Sequence, residues 1–337
     1  MVAGVAALLL RGVKEDAPRA VTLPGVLREE AGTRLAVGTA VRDEPLREER
    51  GYRTVLARQF SSVTPENAMK WAVLEPERGK LDWSAADRLV DFAVEHGQAV
   101  RGHTLVWYSQ NPAWVEGLKG AQLRQAVREH IRTVVGRYRR KVAVWDVVNE
   151  PFEDDGTRRK SVFQRELGDG WAEDALRTAR TADAQAKLYI NEIGAEAPGP
   201  KADAYFALAQ DLLARGVPLD GVGFQAHFSE SGVPDGFREN LERFAALGLD
   251  VAITEADVAL EEPADAAALR LQARVYEEVA RTCLAIERCV SLTVWGFTDR
   301  FSWIPETQPG RGEATLLDER LGPKRAFREV LRVLEGR

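Results

Sequence analysis

Eight times along this chain a short β-rich run gives way to a longer stretch of helical periodicity. No other feature restricts the possible folds so sharply. The runs are Leu35–Val41, Phe60–Asn67, Ala99–Trp107, Val142–Glu150, Ala186–Glu192, Gly221–His227, Asp250–Val258 and Val290–Phe297. Between them lie amphipathic segments such as LDWSAADRLVDFAVEHG, AQLRQAVREHIRTVVGRY and AALRLQARVYEEVARTCL. Gly97 ends the first of these and suits a helix C-cap. Alternation of this kind implies parallel strands joined by right-handed crossovers. Eight units predict one α/β fold, a single (β/α)8 TIM barrel. An open doubly wound sheet is the alternative. It would favour a glycine-rich phosphate loop after the first strand, and no GxGxxG occurs.

The 337 residues suit a barrel of roughly 250 residues with insertions. We expect residues 23–337 to form the catalytic domain and residues 1–22 to be an N-terminal extension of uncertain role. The apolar stretch MVAGVAALLL has Arg11 after it and no basic residue before it, so it does not meet the pattern of a secretory signal. A formal net charge of −6 with well-mixed charges gives no basic face for nucleic acid, and a neutral substrate fits better. No apolar run approaches the roughly 20 residues needed to span a bilayer. Cys283 and Cys289 read, on spacing alone, as two buried thiols or a pair. The histidines, His96, His103, His130 and His227, are scattered, and no metal-ligand spacing such as HExxH occurs, so neither metal nor cofactor is expected. His96 and His130 read as ordinary helix residues.

Buried parallel strands should be near-continuous apolar runs. These runs begin that way, yet most end polar or aromatic. The late positions are Glu66, Asn67, His103, Trp107, Asn149, Glu150, Asn191, Gln225, His227, Glu255, Asp257 and Trp295. Any one of them could be a satisfied buried group or a cap. Their gathering on seven runs points to the carboxyl face of a barrel, where such folds place their sites. Asn149-Glu150 ends the fourth run and Thr254-Glu255 comes late in the seventh. Two glutamates facing each other across a barrel mouth are what glycosidic cleavage requires: one acid for the leaving oxygen and one carboxylate opposite. A lone glutamate there would read as a salt-bridged rim residue. Trp107, Trp295 and Trp303 offer faces for pyranose rings, and the amides and Lys70 offer hydrogen bonds to hydroxyls.

From about Leu27 to the C-terminus the chain resembles the endo-β-1,4-xylanases of glycoside hydrolase family ten. The string VTPENAMKW, followed by GHTLVW, WDVVNEP, GFQAHF, ITEAD and TVWGFTD, carries the resemblance. An Asn-Glu at the fourth strand alone is shared by a whole clan of barrel glycosidases. The resemblance implies endo-acting, retaining hydrolysis of xylan and xylo-oligosaccharides by a secreted, monomeric enzyme. It implies Glu150 as general acid/base, Glu255 as nucleophile, and His227 with Asp257 as the pair that orients the nucleophile. Glu66, Asn67, Lys70, His103, Trp107 and Gln110 correspond to the lining of the non-reducing-side subsites. Asn149 corresponds to the contact with the sugar 2-hydroxyl, and Gln225 to another lining group. Trp295 and Trp303 correspond to aromatic walls that disfavour a C6 hydroxymethyl. It also implies a Cys283–Cys289 disulfide. Tyr108 stands where the family usually carries His, which implies altered subsite tuning, and Ala256 stands where a larger aliphatic is common. The competing readings are a clan relative acting on glucan or mannan, and a silent sugar-binding protein, which would be expected to lack one of the two glutamates.

Overall fold

The structure, a computed structural model, describes residues 23–337. The 1–22 extension and its apolar stretch lie outside the described residues. Eight strands make the barrel: β1 Ala36–Val41, β2 Ser62–Pro65, β3 Ala99–Trp107, β4 Val142–Asn149, β5 Lys187–Glu192, β6 Gly221–Phe224, β7 Asp250–Glu261 and β8 Cys289–Val294. Each pairs in parallel with the next, and β8 returns to β1. Gly38 in β1 has Ser62 opposite it on one side and Thr293 on the other. Closure of this kind removes the open edge. One main helix follows each strand: α1 Arg50–Gln59, α2 Ser84–Glu95, α3 Gly120–Arg137, α4 Trp171–Ala182, α5 Pro200–Ala214, α6 Phe237–Ala245, α7 Ala266–Ala285 and α8 Arg325–Leu334.

All eight expected runs are strands, and the departures are local. The second strand is confined to Ser62–Pro65. The sixth run breaks in two because Ala226 takes a left-handed backbone (φ 60°). The chain then resumes as a short strand, His227–Ser229, paired with β7. The eighth run stops before Gly296, at φ 82°. Register shifts interrupt the β3–β4 ladder between His103 and Val106 and the β7–β8 ladder between Ile253 and Ala256. Both lie beside residues singled out in the sequence, and a bulge re-aims the side chains around it.

Helix periodicity sets what each helix buries. α3 turns Leu123, Val127, Ile131 and Val134 inward, spaced by one turn. Full burial of such a side chain contributes about 1.5–3 kcal/mol. On its outer side Arg128 pairs with Asp174 of α4 at 2.6 Å. Gly97, at φ 61°, closes α2 by donating its N–H to the Val94 carbonyl. Asp265 caps α7 by accepting the N–H groups of Ala267 and Ala268, each at 2.8 Å, an arrangement worth about 1 kcal/mol. At the other end of α7, Cys283 is joined to Cys289 of β8 in a disulfide, with Cα atoms 5.2 Å apart. No helix of the described residues is long and apolar enough to cross a membrane.

The barrel interior tolerates little change. Gly102 lies opposite Trp145 in the β3–β4 ladder. A Cβ there would stand 2.2 Å from two carbons of the indole. Gly102→Ala should therefore cost about 1–3 kcal/mol by overpacking. Thermal unfolding should show the midpoint lowered by several degrees, and an unchanged midpoint would contradict this close packing.

Candidate active site

The carboxyl ends of the strands converge on a cleft of about 410 Å³. Every side chain assigned a site role from the sequence lines it except Asp257, which lies behind His227. Glu150 follows the last residue of β4 with φ 53° and donates its N–H to the Asn191 carbonyl at 2.8 Å. Its Oε1 accepts hydrogen bonds from the Asn149 and Gln225 side-chain amides, both at 3.1 Å. Glu255 on β7 faces the same cleft and is 4% exposed. Its Oε1 accepts from Asn191 Nδ2 at 2.7 Å, and its Oε2 lies 3.3 Å from His227 Nε2.

Asn191, at the penultimate position of β5, joins the two sides. Its amide also donates to Asn149 Oδ1 at 2.8 Å, while its own oxygen accepts from Thr254 Oγ1 at 2.7 Å. Three hydrogen bonds thus run from Glu150 through Asn149 and Asn191 to Glu255. Gly223 makes room for this chain, since a Cβ there would stand 2.2 Å from Asn191 Oδ1.

Behind Glu255, His227 Nδ1 lies 3.0 Å from Asp257 Oδ1, and Asp257 Oδ2 accepts from Trp303 Nε1 at 2.7 Å. Burial works to lower the His227 imidazole. The Asp257 and Glu255 carboxylates outweigh it and hold the ring well above its usual range, as an imidazolium at neutral pH. Burial likewise works to raise the Glu255 carboxyl. The hydrogen bond from His227 and nearby imidazole charge outweigh it and keep Glu255 below its ordinary value.

The remaining residues form a polar rim and aromatic walls. Glu66 Oε1 takes Arg42 Nε at 2.9 Å and Asn67 Nδ2 at 3.3 Å, and Lys70 Nζ donates to Asn67 Oδ1 at 2.9 Å. Burial raises the Glu66 carboxyl despite Arg42, and lowers the Lys70 ammonium, which stands 4.9 Å over the Trp107 ring. His103 Nδ1 lies 3.0 Å from Asp146, itself paired with buried Arg101. The His103 ring stands edge-on to Trp295 at 5.3 Å, and His227 lies against Trp303 at 5.0 Å. Gln110 reaches the cleft from a left-handed backbone (φ 51°). Among the described residues no three His, Cys, Asp or Glu side chains gather as a metal site.

Some groups of the site had been given no role in the sequence. Asn191, buried beneath the lining, was visible as a polar strand end, yet its bridging depends on partners from β4 and β7. Arg42 and Glu306 line the cleft, joined at 2.8 Å. The signal for Arg42 was its place directly after Val41, the end of the one run that the polar strand-end census left out. His96 and His130 stay outside the cleft. His130 is buried in α3 and stacks on Trp71 at 4.1 Å.

The sequence profile of glycosyl hydrolase family 10 matches residues 27–333. The chain belongs to glycosyl hydrolase family 10. Endo-1,4-beta-xylanase A of Phanerodontia chrysosporium is 44% identical over 270 residues, which is 80% of this chain and 66% of that protein. An endo-1,4-beta-xylanase of Agaricus bisporus is 42% identical over 274 residues, covering 81% of this chain and 82% of that one. The crystal structure of xylanase 10B from Thermotoga petrophila in complex with xylobiose superposes with a TM-score of 0.91 at 37% identity, over 94% of this chain and 98% of that chain.

Beneath the cleft of this family 10 barrel, Glu192 is fully buried. Its Oε2 accepts the Phe152 N–H at 3.1 Å, and its Oε1 lies 3.4 Å from Lys201 Nζ. Burial pushes its carboxyl up to about 8, against the pull of Lys201. The folded chain therefore holds this proton more tightly than the unfolded chain, whose carboxyl titrates near 4.5. Stability from this group is full below that lower value and is lost as pH rises toward about 8. Glu192→Gln should thus gain in thermal midpoint relative to the parent between about pH 5 and about pH 8. A gap that stays constant across that range would contradict the burial argument.

Proposed function

We propose that this family 10 chain is a retaining endo-1,4-β-xylanase that cleaves xylan through a covalent glycosyl-enzyme. One observation carries the reading: the two glutamates are bonded differently. Glu255 has a donor at each oxygen, from Asn191 and His227. Glu150 takes both of its amide donors on Oε1, and Oε2 has no protein donor among the described residues. A carboxylate held on both oxygens favours the ionised form and suits the nucleophile. A carboxyl with one open oxygen suits the acid that must reach a leaving group.

In the first step Glu150 gives its proton to the departing sugar oxygen while Glu255 attacks the anomeric carbon. In the second step Glu150 takes a proton from water, which displaces Glu255 with net retention. His227, backed by Asp257, orients Glu255 and holds its charge. Asn149 reaches the 2-hydroxyl at the cleavage point. Glu66, Asn67, Lys70, His103 and Gln110 bind hydroxyls on the non-reducing side, with Trp107 as a stacking face. Gln225 holds Glu150 as well as lining the cleft. Trp295 and Trp303 wall off the space a C6 hydroxymethyl would need, which favours xylose over glucose. The enzyme acts as a monomer on a polysaccharide outside the cell. The disulfide accords with that oxidising setting.

Reducing-sugar release should be high on xylan and near background on carboxymethylcellulose, and equal rates on the two would overturn the xylan assignment. Glu150→Ala should lose about 10²–10⁴-fold on xylan. It should form glycosyl-enzyme readily from a dinitrophenyl β-xylobioside and yield a β-glycosyl azide when azide is added. Glu255→Ala should abolish retaining turnover on both substrates. Identical behaviour of the two variants would reverse or remove the role assignment.

A further inference from the structure

Glu150 holds its side chain in the cleft from a backbone conformation that L residues rarely adopt, at φ 53°. Such a conformation persists only where the surroundings over-determine it. Two contacts hold the peptide groups of Glu150 itself. Its N–H is fixed on the Asn191 carbonyl at 2.8 Å. Its carbonyl accepts from Arg159 Nε at 3.0 Å.

Arg159 is well built for that task. Its own N–H donates to the Pro151 carbonyl at 2.9 Å, which closes the loop after β4 back on itself. Its Nη1 pairs with Glu153 Oε2 at 3.0 Å, and the opposite oxygen of Glu153 accepts the Lys160 N–H at 3.1 Å. The guanidinium lies over the ring of Tyr108 at 4.3 Å. Tyr108 in turn meets Trp107 edge-on at 5.7 Å, and both rings line the cleft with Glu150. Arg159 thus stands between the strand-three aromatics and the backbone of Glu150. A planar guanidinium can stack on a ring and donate in its own plane at the same time, which an ammonium cannot do.

We propose that Arg159 is a positioning residue for proton donation: clamped against the Tyr108 ring, it fixes the Glu150 carbonyl and so aims the Glu150 carboxyl at the leaving oxygen. The inference rests on the reading of Glu150 as the acid. It makes Tyr108 a structural partner of Arg159 whose ring, rather than its hydroxyl, does the holding. Misplacing an acid by about 1 Å can cost on the order of 10²-fold. That loss falls only on substrates whose leaving group needs a proton.

The test compares kcat/KM on xylotetraose, a poor leaving group, with kcat/KM on dinitrophenyl β-xylobioside, which needs little acid help. Arg159→Gln should fall by on the order of 10²-fold on xylotetraose and by no more than about threefold on the aryl glycoside. Arg159→Lys should show the same split in weaker form, and it serves if the glutamine variant does not fold. Tyr108→Ala should reproduce part of the split, and Tyr108→Phe should recover most of what Tyr108→Ala loses. Equal losses on both substrates, as a loosened barrel would give, overturn the proposal, as does no loss on xylotetraose. Glu150→Ala measured alongside separates the two readings. If that variant also loses equally on both substrates, the acid assignment of Glu150 fails and this inference fails with it. If it shows the split and Arg159→Gln does not, only the positioning role fails.

Discussion

The Asn191 side-chain amide is the contact on which the rest of the site depends. One nitrogen donates to the residue beside Glu150 and to Glu255 itself, while its oxygen is fixed by Thr254. β4, β5 and β7 are thereby tied together at one height. Side chains on parallel strands of a closed ring can meet this way only if the registers agree, and a slip of one residue would turn each of them to the other face. The glycine at 223 is part of the same arrangement, because any larger residue would press on that amide. Barrel closure, strand register and the placing of two carboxylates are therefore one constraint viewed at three scales.

Around that amide the electrostatics divide the two glutamates. Glu255 is buried, which works to raise its carboxyl, but the hydrogen bond from His227 and the nearby imidazole charge outweigh burial. His227 owes its charge to Asp257, and Asp257 is held by Trp303 from the loop after β8. A residue of the aromatic wall thus contributes to the charge state of the carboxylate it shelters. The Glu150 carboxyl accepts hydrogen bonds from two neutral amides, both on Oε1, and its other oxygen has no protein donor among the described residues. Buried ion pairs add little net stability because desolvation offsets attraction. The Arg101–Asp146–His103 group below the cleft is better understood as fixing where His103 points than as holding the barrel together.

Much of this was legible in the amino-acid order. Short apolar β-rich runs and longer stretches of helical periodicity, alternating eight times, leave few folds open, and the strands lie where the runs predicted. The polar strand ends foretold the cleft because a parallel barrel gathers those ends on one face whatever the loops do. What could not be read was set by contacts between distant segments. The break at Ala226 follows from a backbone turn with no glycine to announce it. Asn191 looked like one more polar strand end, and its value lies in three partners on two other strands. Arg42 was marked only by its place after the first run, and Arg159 by nothing local, since an arginine that meets the Glu150 backbone reads in sequence like one in water. The disulfide followed from the family resemblance and not from spacing, which left paired and free thiols equally open.

In the proposed mechanism Glu255 attacks and Glu150 donates, so that the sugar leaves with the configuration it had in the chain. Proton NMR of the anomeric region during the first minutes of xylan hydrolysis tests this most directly, because mutarotation is slower than enzyme turnover at high enzyme concentration. The β-anomer of the new reducing end should appear first, and the α-anomer should grow in later by mutarotation. An α-anomer that appears first would mean that water, not Glu255, attacks the anomeric carbon, and would rule out Glu255 as the nucleophile.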